Sequence, residues 1–254
     1  MDLPPIQLCL LGTGTAFHTD GRGSPAVLVR GGGASPFLVD AGPTVVAACA
    51  RLGIDYAAIE RIFVTHLHGD HFAGWPFLRL NLAFEAGRTL PFDVHGPRGV
   101  RAAFEGLEEL CYGELFTGEP SPFDVRYHEH EVAARRGLGE GPVRYDLFPM
   151  DHHPSSTGYR FEIGGRSFGV TGDTRWCANL ERLAAECELV VMECTTPRPG
   201  AHAHVSLDEL REGIGRLGDC RVVLVHLTDA VACELAADPI PRVVAGYDGM
   251  TVTL

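Results

Sequence analysis

The sequence predicts an α/β domain of two sheets flanked by helices, and three observations predict it. Short apolar, β-branched runs alternate with helical patterns, and the second half repeats the alternation of the first. Four of those runs end in a residue able to hold a metal: Val64 before His66, Met150 before His152, Val170 before Asp173 and Val225 before His226. No internal repeat, low-complexity tract or linker interrupts the chain, so residues 1–254 are read as one domain.

Composition narrows the function. A content of 45% hydrophobic and 21% charged residues is that of a soluble globular protein, long enough to bury a substantial core. No stretch approaches the ~18 consecutive apolar residues of a membrane span. Met1 to Pro5 lacks a basic region, so no signal peptide is expected. Eight cysteines without a CxxC pair read as buried thiols of a cytoplasmic protein rather than disulfides. The net charge of −12 disfavours a grip on a long phosphate backbone, and Arg135-Arg136 is the only adjacent basic pair. A small-molecule substrate is expected instead of a large nucleic acid. A local basic patch, or one made by dimerisation, would reverse that expectation.

The elements follow in order. Ile6 to Leu11 is a strand that runs into Gly12-Thr13-Gly14, a tight turn at a pocket edge. His18 in the next loop reads as a loop or core histidine. Ala26 to Arg30 and Pro36 to Asp40 are strands joined by the Gly31-Gly32-Gly33 turn. Asp40 reads as a capping or loop-anchoring carboxylate in preference to a metal ligand, and Pro43 starts a helix to about Leu52. Arg61 to Thr65 is a buried strand, and the apolar run after Gly69 is helical to about Phe84. Pro91 to His95 is a strand, Pro97 to Leu110 a helix, and Cys111 to Pro122 a surface loop. Tyr127 to Glu131 is an exposed strand face carrying His128 and His130. Val143 to Met150, Gly158 to Ile163, Ser167 to Thr171, Leu189 to Met192 and Arg221 to Val225 are strands. Asn179 to Glu186 and Ser206 to Leu217 are helices, the second opened by a Ser-x-x-Glu capping box. Asp248-Gly249 signals a two-residue hairpin between Arg242–Tyr247 and Met250–Leu254.

His66-Leu67-His68-Gly69-Asp70-His71 packs three histidines and an aspartate behind a buried strand. Imidazoles and a carboxylate suit a divalent transition metal. So many donors in one segment suggest two ions. The motif resembles the signature of the metallo-β-lactamase superfamily. Within it the chain is similar to the ribonuclease Z-like branch. The matching pieces are Leu11-Gly12-Thr13-Gly14, Val39-Asp40-Ala41-Gly42, Asp151-His152 with Gly158-Tyr159-Arg160, Gly172-Asp173-Thr174, Glu193, His204-Val205-Ser206 and Val225-His226-Leu227.

That resemblance implies a four-layer αββα sandwich, two mixed sheets flanked by helices, with two divalent ions, usually zinc (manganese or iron also suits the donors). His66, His68 and His152 would hold one ion, and Asp70, His71 and His226 the other, with Asp173 bridging. His152 matches the family spacing to Gly158, and His153 does not. Asp70 would orient or deprotonate a shared hydroxide, Glu193 would orient His204, and His204 would protonate the leaving group. The chain is therefore expected to be a metal-dependent phosphodiesterase acting on a small phosphodiester or nucleotide. Thioester or lactone hydrolysis on the same site, and tRNA 3′-end processing, stay open. So does a homodimer, since members of that branch are often dimeric. Ribonuclease Z proteins carry a long basic arm that clamps tRNA, in many bacterial members between the equivalents of His152 and Asp173. Here 21 residues separate the two and no arm is present, which argues against tRNA. A binding or sensor protein with a structural metal is disfavoured by the absence of cysteine donors. Roles for His18, His153 and His202 are unassigned.

Overall fold

A computed structural model describes residues 3–18, 20–117, 121–200 and 203–254. The first half supplies strands β1 (Gln7–Gly12), β2 (Ala26–Gly31), β3 (Ala34–Val39), β4 (Arg61–Phe63), β5 (Phe92–Pro97) and β6 (Val125–His130). The second supplies β7 (Arg135–Leu138), β8 (Arg144–Pro149), β9 (Thr157–Ile163), β10 (Arg166–Val170), β11 (Leu189–Glu193), β12 (Arg221–Val225), β13 (Val243–Ala245) and β14 (Thr251–Thr253). Helices are α1 (Val45–Leu52), α2 (Gly69–Phe72), α3 (Trp75–Leu80), α4 (Val100–Thr117), α5 (Ala178–Ala185), α6 (Leu207–Gly213) and α7 (Asp229–Ala237).

Two seven-stranded sheets result, ordered β14-β1-β2-β3-β4-β5-β6 and β13-β12-β11-β10-β9-β8-β7. Both are mixed. The first is antiparallel from β14 to β3 and parallel from there to β6. The second is parallel from β13 to β10 and antiparallel on to β7. Alternation along each strand divides its side chains between two cores, which is why these strands read as continuous apolar runs. In β1, Leu8 and Leu10 face the opposite sheet while Cys9 and Leu11 face helices. Between the sheets Phe63 and Phe161 lie 4.9 Å apart, and Phe37 and Phe168 each lie 5.2 Å from Phe161. Each such buried ring contributes about 2–3 kcal/mol. A second core lies under α1, α3 and α4, and a third under α5, α6 and α7. Three cores separate four layers, so the αββα sandwich is present.

Several local expectations change. Asp248-Gly249 does turn the chain, but the flanking strands part: β13 joins β12 in the second sheet and β14 joins β1 in the first. Asp248 is spent on other partners, accepting from the Thr13 N–H and hydroxyl and from the Gly23 N–H. The predicted loop after Leu110 is helical as far as Thr117, with a kink at Tyr112, because Arg79 stacks 4.3 Å over Phe116 and Phe77 meets Tyr112. Gly118 to Pro120 and His202 lie outside the described residues. The helix expected to about Phe84 is three pieces: α2, α3 and a π-helical turn, Asn81–Glu85. β7 and α7 were not anticipated. His130 is not on an exposed face; it is buried, and its Nε2 pairs with the Tyr159 hydroxyl at 2.8 Å. The capping box on α6 forms, with Ser206 Oγ accepting from Glu209 N–H and the Glu209 carboxylate accepting from Ser206 N–H. Among the described residues no helix is long and apolar enough to cross a membrane.

Candidate metal centre

The loop from Val64 to Asp70 leaves β4 and crosses the end of the second sheet. It is fastened there by Thr157 N–H to Thr65 O at 2.9 Å and by Leu67 N–H to Ser155 Oγ at 3.0 Å. Close approach from below requires glycine. A Cβ on Gly42 would lie 2.1 Å from the Asp70 carbonyl, and one on Gly172, which has φ +60°, would lie 2.6 Å from Thr65 Cβ. Asp40 and His226 take positive φ of 60° and 52° although neither is glycine. Such strain is held by the surrounding contacts and concentrates at functional sites.

The four strand ends converge. Donor atoms of His66, His68, His152 and Asp173 lie within 4.8 Å of one another, and so do those of Asp70, His71, Asp173 and His226. Asp173 is common to both sets. Its Oδ1 is 3.3 Å from His71 Nε2, and its Oδ2 is 3.4 Å from His226 Nε2 and 3.8 Å from the Nε2 atoms of His66 and His152. Asp70 Oδ2 is 3.3 Å from His71 Nε2 and 3.5 Å from His226 Nε2.

The far nitrogen of each histidine fixes which nitrogen faces inward. His71 Nδ1–H donates to Asp40 Oδ2 at 2.8 Å, His152 Nδ1–H to the Ala203 carbonyl at 2.7 Å, and His226 Nδ1–H to Thr195 Oγ1 at 2.8 Å. His66 Nδ1 meets Thr65 Oγ1 at 3.1 Å, and that hydroxyl in turn donates to Asp40. Each turns Nε2 toward the carboxylates, as an outer shell around a metal does. His68 instead presents Nδ1, 3.1 Å from His152 Nε2.

The donors fit a metal by a test internal to the structure. His66 Nε2, Asp70 Oδ2, His71 Nε2 and His226 Nε2 are buried without a hydrogen-bond partner. Four orphaned polar atoms converging on two points would cost about 1–3 kcal/mol each if nothing bound them. The electrostatics agree. Burial opposes ionisation of Asp173, but His226, His71 and His66 outweigh it and hold its carboxyl well below the usual range. Burial likewise opposes charge on His71, yet Asp173 and Asp40 on either side push its pKa well above the ordinary imidazole value. His66 is driven the other way by burial and by the neighbouring His71. A cation binding there displaces the His71 proton.

Beside these sets stands a pair. Glu193 Oε1 accepts from His204 Nδ1 at 2.9 Å and from Thr174 N–H at 2.9 Å, and Thr195 Oγ1 lies 3.1 Å from Oε2. Donor atoms of Glu193, His204 and His226 also lie within 4.8 Å of one another, so this pair adjoins the second set through His226. Burial and the Asp173 charge push its pKa up. Burial pulls that of His204 down. His153 stays apart, its Nδ1 held by Ser155, and His18 bonds Arg22 O and Ser24 Oγ. Neither joins a donor set among the described residues. Sequence reasoning missed what Asp40 does beyond anchoring the loop. It accepts from Thr65 N–H and Oγ1–H and orients His71. Thr195, between Glu193 and His226, was missed as well. The one available signal was that Asp40, like the donors, ends a strand.

Fold and donor set together define a metal-dependent hydrolase of the metallo-β-lactamase fold, ribonuclease Z-like branch. More particularly, the chain belongs to the family described as Anti-Pycsar protein Apyc1, whose model matches residues 6–237. Among curated proteins it is similar to ribonuclease Z of Mycolicibacterium paratuberculosis, 30% identical over 250 residues covering 89% of this chain and 87% of the relative. Among solved structures it is similar to human tRNase Z, short form, with TM-score 0.77 and 22% identity, covering 97% of this chain and 98% of that one. A diphosphatase from the PhnP family matches with TM-score 0.74 and 18% identity, covering 100% and 98%.

Proposed function

We propose that residues 1–254 form one dinuclear phosphodiesterase domain that cleaves a small phosphodiester or nucleotide. One ion would sit on His66, His68 and His152, the other on Asp70, His71 and His226, with Asp173 between them. Zinc suits the donors best, and manganese or iron would also bind. The observation that carries the reading is that two donor sets share one carboxylate, with a hydrogen-bonded histidine–glutamate pair beside them.

When bound, two ions supply Lewis acidity toward phosphoryl oxygens and make water nucleophilic near neutral pH. The chain's own groups do the rest. Asp70, beside His71 and His226, takes the proton that the attacking water gives up. His204 holds its ring by Nδ1–H to Glu193, so that Nε2 is free to deliver a proton to the oxygen leaving phosphorus. Burial lowers its pKa, so the proton-donating form is lost as pH rises and the step should slow toward alkaline pH.

A small substrate is favoured over RNA by the charge of −12 and by the path from His152 to Asp173, which is filled by β9, β10 and a tight turn. The ribonuclease Z relatives keep tRNA 3′-end processing as a second reading. Buried thiols such as Cys49 and Cys187, which burial holds protonated, fit a cytoplasmic setting. The test is metal content of the unsupplemented protein by plasma mass spectrometry, with bis-p-nitrophenyl phosphate and precursor tRNA turnover on the same sample. About two ions with diester turnover and intact tRNA is the expected result. No metal after reconstitution would refute the centre, and accurate tRNA cleavage would refute the substrate class.

A further inference from the structure

Away from the metal centre, at the opposite ends of β4 and β8, the sandwich opens into a cleft of about 580 Å³. Its floor is a ladder of rings across three strands. Phe63, His95 and His128 are cross-strand partners, stacked at 4.6 Å and 15° and then at 4.4 Å and 13°. Phe63 belongs to the inter-sheet core, whereas His128, on the edge strand, is exposed. The ladder therefore leads from dry interior to open cleft.

The charges on this floor do not balance. Asp93 is shared between Arg126 at 2.7 Å and His128 at 2.8 Å. Arg61, two residues before Phe63 and so on the same face of β4, stands opposite Asp93 in the register, but among the described residues it makes no ion pair, and its Nε is buried without a hydrogen-bond partner. His95 adds no charge of its own, since burial, His128 and Arg61 hold it neutral with a pKa of about 3. Glu140, the other acid of the lining, is exposed on the turn between β7 and β8. A half-buried guanidinium with no counterion, in a chain of net charge −12, is costly unless an anion enters. Its planar fork matches the oxygens of phosphate.

We propose that this inter-sheet cleft is a binding site for a phosphate monoester dianion, with Arg61 as the principal contact and the exposed face of His128 available to any ring the phosphate carries. Free phosphate and a nucleoside monophosphate present the same group to Arg61. Only the second presents a ring to His128. Hydrolysis of a diester yields a monoester, so the site would sense the class of product made at the centre. That last consequence rests on the proposed activity; the binding itself does not.

The test is an NMR titration of the metal-loaded protein, following the His95 and His128 imidazole signals on addition of inorganic phosphate and then adenosine 5′-monophosphate. Both signals should shift and saturate in the millimolar range. Tighter binding of the nucleotide would identify a stacked ring, and equal binding would identify phosphate alone as the determinant. Arg61→Gln should weaken binding about tenfold or more, and Arg61→Lys should restore part of it. Glu140→Arg, on the exposed rim and harmless to folding, should tighten it severalfold. Unmoved His95 and His128 signals, or shifts indifferent to Arg61→Gln and Glu140→Arg, would overturn the proposal. These signals report the cleft even if the protein cleaves no diester, so failure of the activity and failure of the site are separate results.

Discussion

Replacing Asp40 by asparagine isolates the group that aims His71 without touching a donor. Asp40 is buried and accepts three hydrogen bonds, each 2.8 Å: from Thr65 N–H, Thr65 Oγ1–H and His71 Nδ1–H. An amide retains one acceptor oxygen and adds an N–H₂ group. Turned toward His71, that group forces Nδ1 to accept, moves the ring proton to Nε2, and removes the lone pair that faces Asp70 and Asp173. Turned toward Thr65, it sets donor against the Thr65 N–H. Loss of such an outer partner costs about 10- to 100-fold in metal affinity, equal to roughly 1.4–2.7 kcal/mol. Loss of a charge-assisted bond costs folding about 1.5–3 kcal/mol. Zinc affinity should be measured by competition with a fluorescent chelator, and stability by urea denaturation with and without EDTA. Asp40→Asn should lose affinity by that factor and lose more stability in the zinc-loaded state than in the stripped state. Wild-type affinity in a folded variant would refute the orienting role and leave Asp40 a loop anchor alone.

Other perturbations separate the remaining roles. Asp173→Ala should lose metal and turnover together, whereas His204→Ala should keep its metal and lose about 10²- to 10⁴-fold in kcat, checked by mass spectrometry and steady-state kinetics. Unchanged kcat in His204→Ala would remove it as the acid. His95 gives a pH signature. Its folded pKa of about 3 lies below the ordinary imidazole value, so the unfolded chain binds more protons between the two and stability falls as pH drops through that window. His95→Phe keeps a stacking ring and cannot titrate. Between pH 6.5 and 5 the wild type should lose about 1.6 kcal/mol more than the variant in urea denaturation, and parallel curves would contradict the assignment.

The clustering of the candidate donors was legible in the sequence because they are dense at one place and repeat one setting, the end of an apolar strand, at three others. Asp40 shares that setting, but a carboxylate that faces a metal and one that faces a histidine leave the same local trace. What separates them is the approach of His71, 31 positions away, which chain order does not encode. The Asp248-Gly249 signal failed for a related reason. The turn is local, while the partners of its flanking strands are β12 and β1, the latter at the far end of the chain. α7 was invisible because its apolar residues make no single stripe, and β7 because it is an exposed edge strand with an Arg-Arg-Gly run. In α4, contacts from Arg79 and Phe77 override the poor propensity of Gly113.

The donors do not come from one side of the molecule. His66, His68, Asp70 and His71 follow a strand of the first sheet, and His152, Asp173 and His226 follow strands of the second. The candidate centre is thus a seam, and ions held there would rivet the two sheets together, beside the apolar layer of packed rings and backbone ties such as Thr157 N–H to Thr65 O. Each rivet shortens the loops that the unfolded chain must close, as any cross-link does. A metal-loaded protein should therefore resist urea better than a stripped one.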